Sequence, residues 1–211
     1  MVDALALAVL CAESYAAGPD TPGFHRYGDT VRALVRDGSD GTRIIAFPGT
    51  RPGHITDDLT DIDCRRIVLD HPERQAHEGF WCAAMLALPL AIDTAMGGSL
   101  VLTGHSLGAA LAVDLATALA IAGIPVAAVI GFGCPRTAVG PWQAEMLARA
   151  GIDVTLYRHG GDLVPLLPSG GGWAHAGSLV AIGTAAFDNI ADHAVSAYVA
   201  ALDHIRLPEP A

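Results

Sequence analysis

The chain has 211 residues, 52% of them hydrophobic, and a formal net charge of −10 at pH 7. That length suits one domain with a full core, and the acidity argues against nucleic acid and anionic membranes as general partners. Every apolar stretch is interrupted by a charge or a breaker before about 18 residues, which excludes a transmembrane helix from the reading.

Residues 1–10 are apolar, but Asp3 stands where a signal peptide needs a positive charge. Residues 4–17 are therefore expected as a helix, and the cytoplasm as the location, with export by another route left open. Gly18-Pro19-Asp20 and Thr21-Pro22-Gly23 break that helix. Residues 31–36 alternate apolar and polar, residues 37–41 form a turn, and residues 43–47 are a second strand, so the pair predicts a hairpin. The second strand runs into Phe47-Pro48-Gly49-Thr50. A glycine-containing loop at a strand end is where an oxyanion-hole residue would sit, with Thr50 offering its backbone N–H. A plain strand-to-loop turn explains the same residues.

Asp57, Asp58, Asp61 and Asp63 follow closely. They lack the spacing and closing glutamate of a calcium loop, so a solvated loop or helix start is expected. Residues 64–69 read as a strand. His77-Glu78-Gly79-Phe80 opens a long helix, residues 81–95, interrupted or bent near Pro89.

A strand-like run at 99–102 leads into Thr103-Gly104-His105-Ser106-Leu107-Gly108, and a small-residue helix at 107–120 leads out. This is Gly-x-Ser-x-Gly in a strand–turn–helix setting, which would lift a serine hydroxyl above the sheet edge. Glycines at 104 and 108 let strand and helix approach closely, and the helix N-terminus aims N–H groups at a developing oxyanion. Beyond it, residues 124–132 form a continuous apolar run suited to a central strand covered on both faces. A helix at 141–150 and a strand at 153–158 come next. That strand delivers Gly160-Gly161-Asp162, where an aspartate past a strand end could reach a histidine ring; a surface turn aspartate is the plainer alternative. Residues 166–172 are a loop, 179–183 a last strand and 190–204 a closing helix. The pattern is α/β with one domain, 1–211, and a mostly parallel sheet.

A serine hydroxyl needs a base to take its proton and a carboxylate to orient that base. The order Ser106, Asp162, then a later histidine is that of α/β-hydrolases. Of nine histidines, those before the serine are in the wrong order, His105 abuts Ser106 and His159 is too near Asp162. His175, His193 and His204 remain, and His193 is favoured because the last helix can return it to the sheet edge. Cys11, Cys64, Cys82 and Cys134 show no metal spacing and are expected as mostly buried free thiols, with a disulfide or two open to an exported protein.

Ala46-Phe47-Pro48-Gly49-Thr50, His77-Glu78-Gly79-Phe80, Gly104-His105-Ser106-Leu107-Gly108-Ala109-Ala110-Leu111-Ala112, Phe132-Gly133-Cys134-Pro135-Arg136, Gly161-Asp162-Leu163-Val164-Pro165 and Asp192-His193 follow one another over most of the chain. In that combination the sequence resembles the fungal-type class 3 lipase family of α/β-hydrolases. The resemblance implies an α/β-hydrolase fold with helices on both faces of the sheet, and hydrolysis of lipid or short acyl esters without metal or cofactor. It implies Ser106 as nucleophile, Asp162 as orienting acid, His193 as base, and the amides of Thr50 and Leu107 as the oxyanion hole. It also places an interfacial lid within residues 51–76. That stretch is polar and acidic, with no amphipathic helix of large apolar residues. Weak interfacial activation and a preference for short or monomeric esters are therefore expected, with only transient contact at lipid surfaces. Phospholipase A1 or acyltransfer chemistry from the same residues, and a non-catalytic binding module on the fold, are the alternatives.

Overall fold

A computed structural model describes residues 3–38, 40–50, 64–185 and 189–206. The chain opens with helix α1 (Ala4–Ala16), started by the Asp3 carboxylate accepting the Leu5 N–H. Such a cap satisfies one of the donors that a helix start leaves without a partner. Strands β1 (Phe24–Tyr27), β2 (Val31–Asp37) and β3 (Arg43–Phe47) then form an antiparallel meander. The hairpin of β2 and β3 is as the alternation predicts, with Leu34 opposite Ala46. β1 was not legible, because Phe-His-Arg-Tyr has no apolar alternation.

Two short strands, β4 (Arg66–Val68) and β5 (Gln75–His77), precede helices α2 (Glu78–Leu86) and α3 (Leu88–Met96). The long helix expected at 81–95 is thus two helices bent by 52°. Pro89 stands in the first turn of α3, where its missing N–H costs nothing. Strand β6 (Leu100–His105) enters the centre of the sheet, α4 (Leu107–Ile121) leaves it, and β7 (Ala128–Phe132) lies beside β6. Only the second half of the apolar run at 124–132 is strand. Then come β8 (Ala138–Val139), α5 (Trp142–Arg149), β9 (Asp153–His159), a single 3₁₀ turn (Val164–Leu166), β10 (Trp173–Ala174) and β11 (Ser178–Ile182). The closing helix is also divided, into α6 (Asn189–His193) and α7 (Val195–Arg206).

The main sheet has the order β1-β2-β3-β6-β7-β9-β11, parallel from β3 through β11. Its central strands are apolar on both faces because helices cover both. On one face, α4 buries Leu111, Leu115 and Leu119 with Ile45, Leu102 and Val129. On the other, Leu7 and Cys11 of α1 pack with Phe132, Tyr198 and Leu202. This is the fold class that the sequence implied. A second antiparallel sheet, β10-β8-β5-β4, was not foreseen, since strands of two or three residues carry no readable period. Its strand at 66–68 lies within the strand expected at 64–69, and a further short strand stands at 75–77. The four aspartates at 57–63, with all of residues 51–63 of the stretch expected to hold a lid, lie outside the described residues.

The thiols are less buried than composition suggested. Cys11 and Cys134 are buried, but Cys64 and Cys82 are exposed. Among the described residues no single helix is long and apolar enough to cross a membrane.

Candidate active site

Ser106 lies between β6 and α4 at φ 57°, ψ −126°. It is the one non-glycine with positive φ among the described residues, a conformation that costs on the order of 1–3 kcal/mol and must be held by its surroundings. Two close approaches do so. A Cβ on Gly104 would fall 2.3 Å from the Gly108 carbonyl, and one on Gly108 would fall 2.1 Å from the Phe47 carbonyl. The Ser106 N–H also donates to the Phe132 carbonyl at 2.9 Å, joining the turn to β7. The serine makes no side-chain capping bond to its own helix, so its hydroxyl is left to face outward.

His193 meets that hydroxyl. Its Nε2 lies 2.9 Å from Ser106 Oγ, and its Nδ1 lies 2.8 Å from Asp162 Oδ2. Both His193 and Asp162 are buried, while Ser106 is half-buried. The ring therefore donates Nδ1–H to the carboxylate and presents Nε2 as an acceptor to the serine. Asp162 is anchored from three further sides. Tyr198 donates its hydroxyl to Oδ2 at 2.5 Å, the Val164 N–H donates to Oδ1 at 2.9 Å, and Arg158 Nε donates to the Asp162 carbonyl at 2.8 Å. Burial pushes the Asp162 carboxyl up, but His193, Tyr198 and the Val164 amide outweigh it and hold the group below the usual carboxylate range. It is thus an anion at neutral pH, poised to stabilise a protonated His193.

The structure seats the sequence-derived candidates in one place, with one change of position. His193 ends the short α6 rather than beginning the last helix. His175 is committed elsewhere, donating Nε2–H to the Pro165 carbonyl at 2.8 Å, and His204 is exposed on α7. Leu107 is the first residue of α4, where helix geometry leaves the N–H without an internal acceptor. Thr50 follows Gly49, whose Cα lies against Ser106; a Cβ there would sit 2.8 Å from Ser106 Cβ.

Several contributing residues gave no sequence signal. Tyr15 of α1 donates its hydroxyl to His105 Nδ1 at 2.7 Å, and His105 Nε2–H donates to the His193 carbonyl at 2.7 Å. The Gly49 amide faces the same tyrosine oxygen. Burial, with His193 nearby, pulls His105 down to about 3, so it stays neutral. This buried chain of contacts ties the loop carrying Thr50 to the backbone of His193. Tyr198 had a faint signal, standing five residues after His193 on the closing helix. Among the described residues no group of acids, histidines and cysteines has the arrangement of a metal site.

A family model described as Lipase (class 3) matches residues 44–171. No curated protein matches the sequence. Solved structures do resemble it. The Rhizomucor miehei triacylglyceride lipase superposes with a TM-score of 0.68 at 23% identity, over 84% of this chain and 78% of that one. The lipase of Rhizopus microsporus var. chinensis gives 0.71 at 19%, over 84% and 72%. A triacylglycerol lipase whose catalytic centre is a serine protease triad gives 0.71 at 23%, over 89% and 80%.

Proposed function

The chain belongs to the class 3 lipase family and is a serine ester hydrolase; from that footing we propose that Ser106, His193 and Asp162 cleave carboxylic esters through an acyl-enzyme. The observation that carries this reading is the His193 ring, held between the Ser106 hydroxyl and the Asp162 carboxylate at 2.9 and 2.8 Å. Those are working distances for proton transfer.

His193 takes the Ser106 proton as the oxygen attacks the acyl carbon. Negative charge collects on the former carbonyl oxygen, opposite the amides of Thr50 and Leu107. One such donor is worth about 2.7–4 kcal/mol to the transition state. His193 then protonates the leaving alkoxide, and the acyl group stays on Ser106. Water then gives a proton to His193 as its oxygen attacks the acyl carbon, the bond to Ser106 Oγ breaks, His193 returns the proton to that oxygen, and the acid leaves. Asp162 keeps the imidazole in one tautomer throughout and offsets its positive charge.

Within this class, the reading is an esterase or lipase acting on short or monomeric lipid esters. Its support is the polar, acidic composition of the stretch 51–76, where a lid that opens onto oil needs many large apolar residues. The test treats wild type and Ser106→Ala with a fluorophosphonate and assays both on p-nitrophenyl esters. Labelling and turnover are expected to vanish together in the variant, by at least about 10⁴-fold in rate. A folded wild type that neither labels nor turns over would leave a binding module on this fold.

A further inference from the structure

The two segments that bring Asp162 and His193 together are joined twice. Residues 159–162, at the end of β9, supply Asp162 to the ring of His193. Residues 192–193, at the end of α6, supply Asp192 back to the first segment. Asp192 is 1% exposed. Its Oδ2 accepts the Gly161 N–H at 2.7 Å, and its Oδ1 lies 3.3 Å from His159 Nδ1. Each segment therefore contributes one aspartate and one histidine, in opposite directions.

The approach is sterically tight. A Cβ on Gly161 would lie 2.9 Å from Asp192 Oδ2, so a larger residue there would push the carboxylate from its place. Gly161, directly before Asp162, is thus a point of attachment. His159 is itself wedged: a Cβ on Gly183 would lie 2.4 Å from its Nε2, and its ring is 5.8 Å from that of Tyr198, the residue that holds Asp162.

We propose that Asp192 is a positioning residue, acting through Asp162 by fixing the loop of the acid against the helix of the base. The inference rests on the assignment of Ser106, His193 and Asp162 as the reacting groups. A carboxylate bound to a backbone N–H inside the protein makes a stronger strut than a neutral contact. Its position next to His193 means that any slack appears directly in the Asp162–His193 hydrogen bond. Displacements of about 1 Å in such geometry cost about a hundredfold in rate.

The test compares Asp192→Ala and Asp192→Asn, each alone and combined with Asp162→Asn, by kcat, KM and the rate of fluorophosphonate labelling. Asp192→Ala should lower kcat and labelling by about 10- to 100-fold, with KM within about twofold. Asp192→Asn, which keeps an acceptor for Gly161, should recover most of the loss. In the Asp162→Asn background, Asp192→Ala should cost little more, because a residue acting through another has nothing left to position. Unchanged kcat in a folded Asp192→Ala, or the same fold-loss in both backgrounds, would overturn the proposal. Should Asp192→Ala not fold, Asp192→Leu, which keeps the space filled and removes the acceptor for the Gly161 N–H, is read in the same way. A wild type that does not label would instead sink the assignment of the reacting groups.

Discussion

At the scale of single residues, the site and the core use buried carboxyls in opposite ways. Asp162 is surrounded by donors and stays ionised. Asp114, midway along α4, accepts one bond from Gln143 Nε2 at 2.9 Å, while its Oδ2 meets no partner among the described residues. Burial holds its carboxyl well above the usual carboxylate range, against the smaller pull of Gln143. The folded chain keeps a proton there that the unfolded chain releases above about pH 4. That contribution to stability is complete below about pH 4 and falls as pH rises, by up to about 1.4 kcal/mol per pH unit, until the folded group ionises. Asp114→Asn removes the titration. Its stability relative to wild type should therefore be constant below about pH 4 and improve steadily above it, as read by urea unfolding across pH 3 to 9. A difference that stays constant over the whole range would place the protonated group elsewhere.

At the scale of elements, the elbow depends on three backbones meeting without side chains between them. Gly108 sits against the carbonyls of Phe47 and Pro48, which end β3 and begin the loop to Thr50. Gly108→Ala must push α4 away from β3, both displacing Ser106 and opening the core around Leu111. The expected cost is about 3 kcal/mol, or a fall in Tm of about 10 °C, with hydrolysis lost in step. Gly18→Ala is the matched control, since nothing lies within 4 Å of a Cβ there; its stability should stay within about 0.5 kcal/mol of wild type. Thermal unfolding of the two variants separates packing from the general effect of adding a methyl group. The glycine pattern around Ser106 made this element readable in the sequence. Nothing comparable marked β8 and β10, which pair Trp173 with Val139 and Ala174 with Ala138 over too few residues to leave a local pattern.

At the scale of the molecule, the proposed reacting groups gather where parallel strands end. Ser106 follows β6 and Asp162 follows β9, with β7 between them, the position where open α/β sheets place their sites. His193 arrives on α6, outside the sheet, and the adjoining α7 is packed against α1 by Tyr198 and Leu202. A surface carrying −10 overall should bind anionic vesicles poorly. Rates on esters of rising chain length should follow monomer concentration and level off at the solubility limit. A jump in rate on passing that limit would show interfacial activation and reject the short-ester preference.

Local order alone was enough to place Ser106, because strand, glycines and small-residue helix are contiguous, and the serine's backbone conformation needs each of them. Chain order was enough to rank Asp162 and His193, since both follow the serine at element ends. Tertiary structure decided what is non-local. Tyr15 reaches His105 across 90 residues, and Tyr198 reaches Asp162 across 36. Asp192 finds the Gly161 amide across 31. Such contacts leave no period or spacing in the chain, because they exist only once helices on opposite ends of the sequence share one face of the sheet.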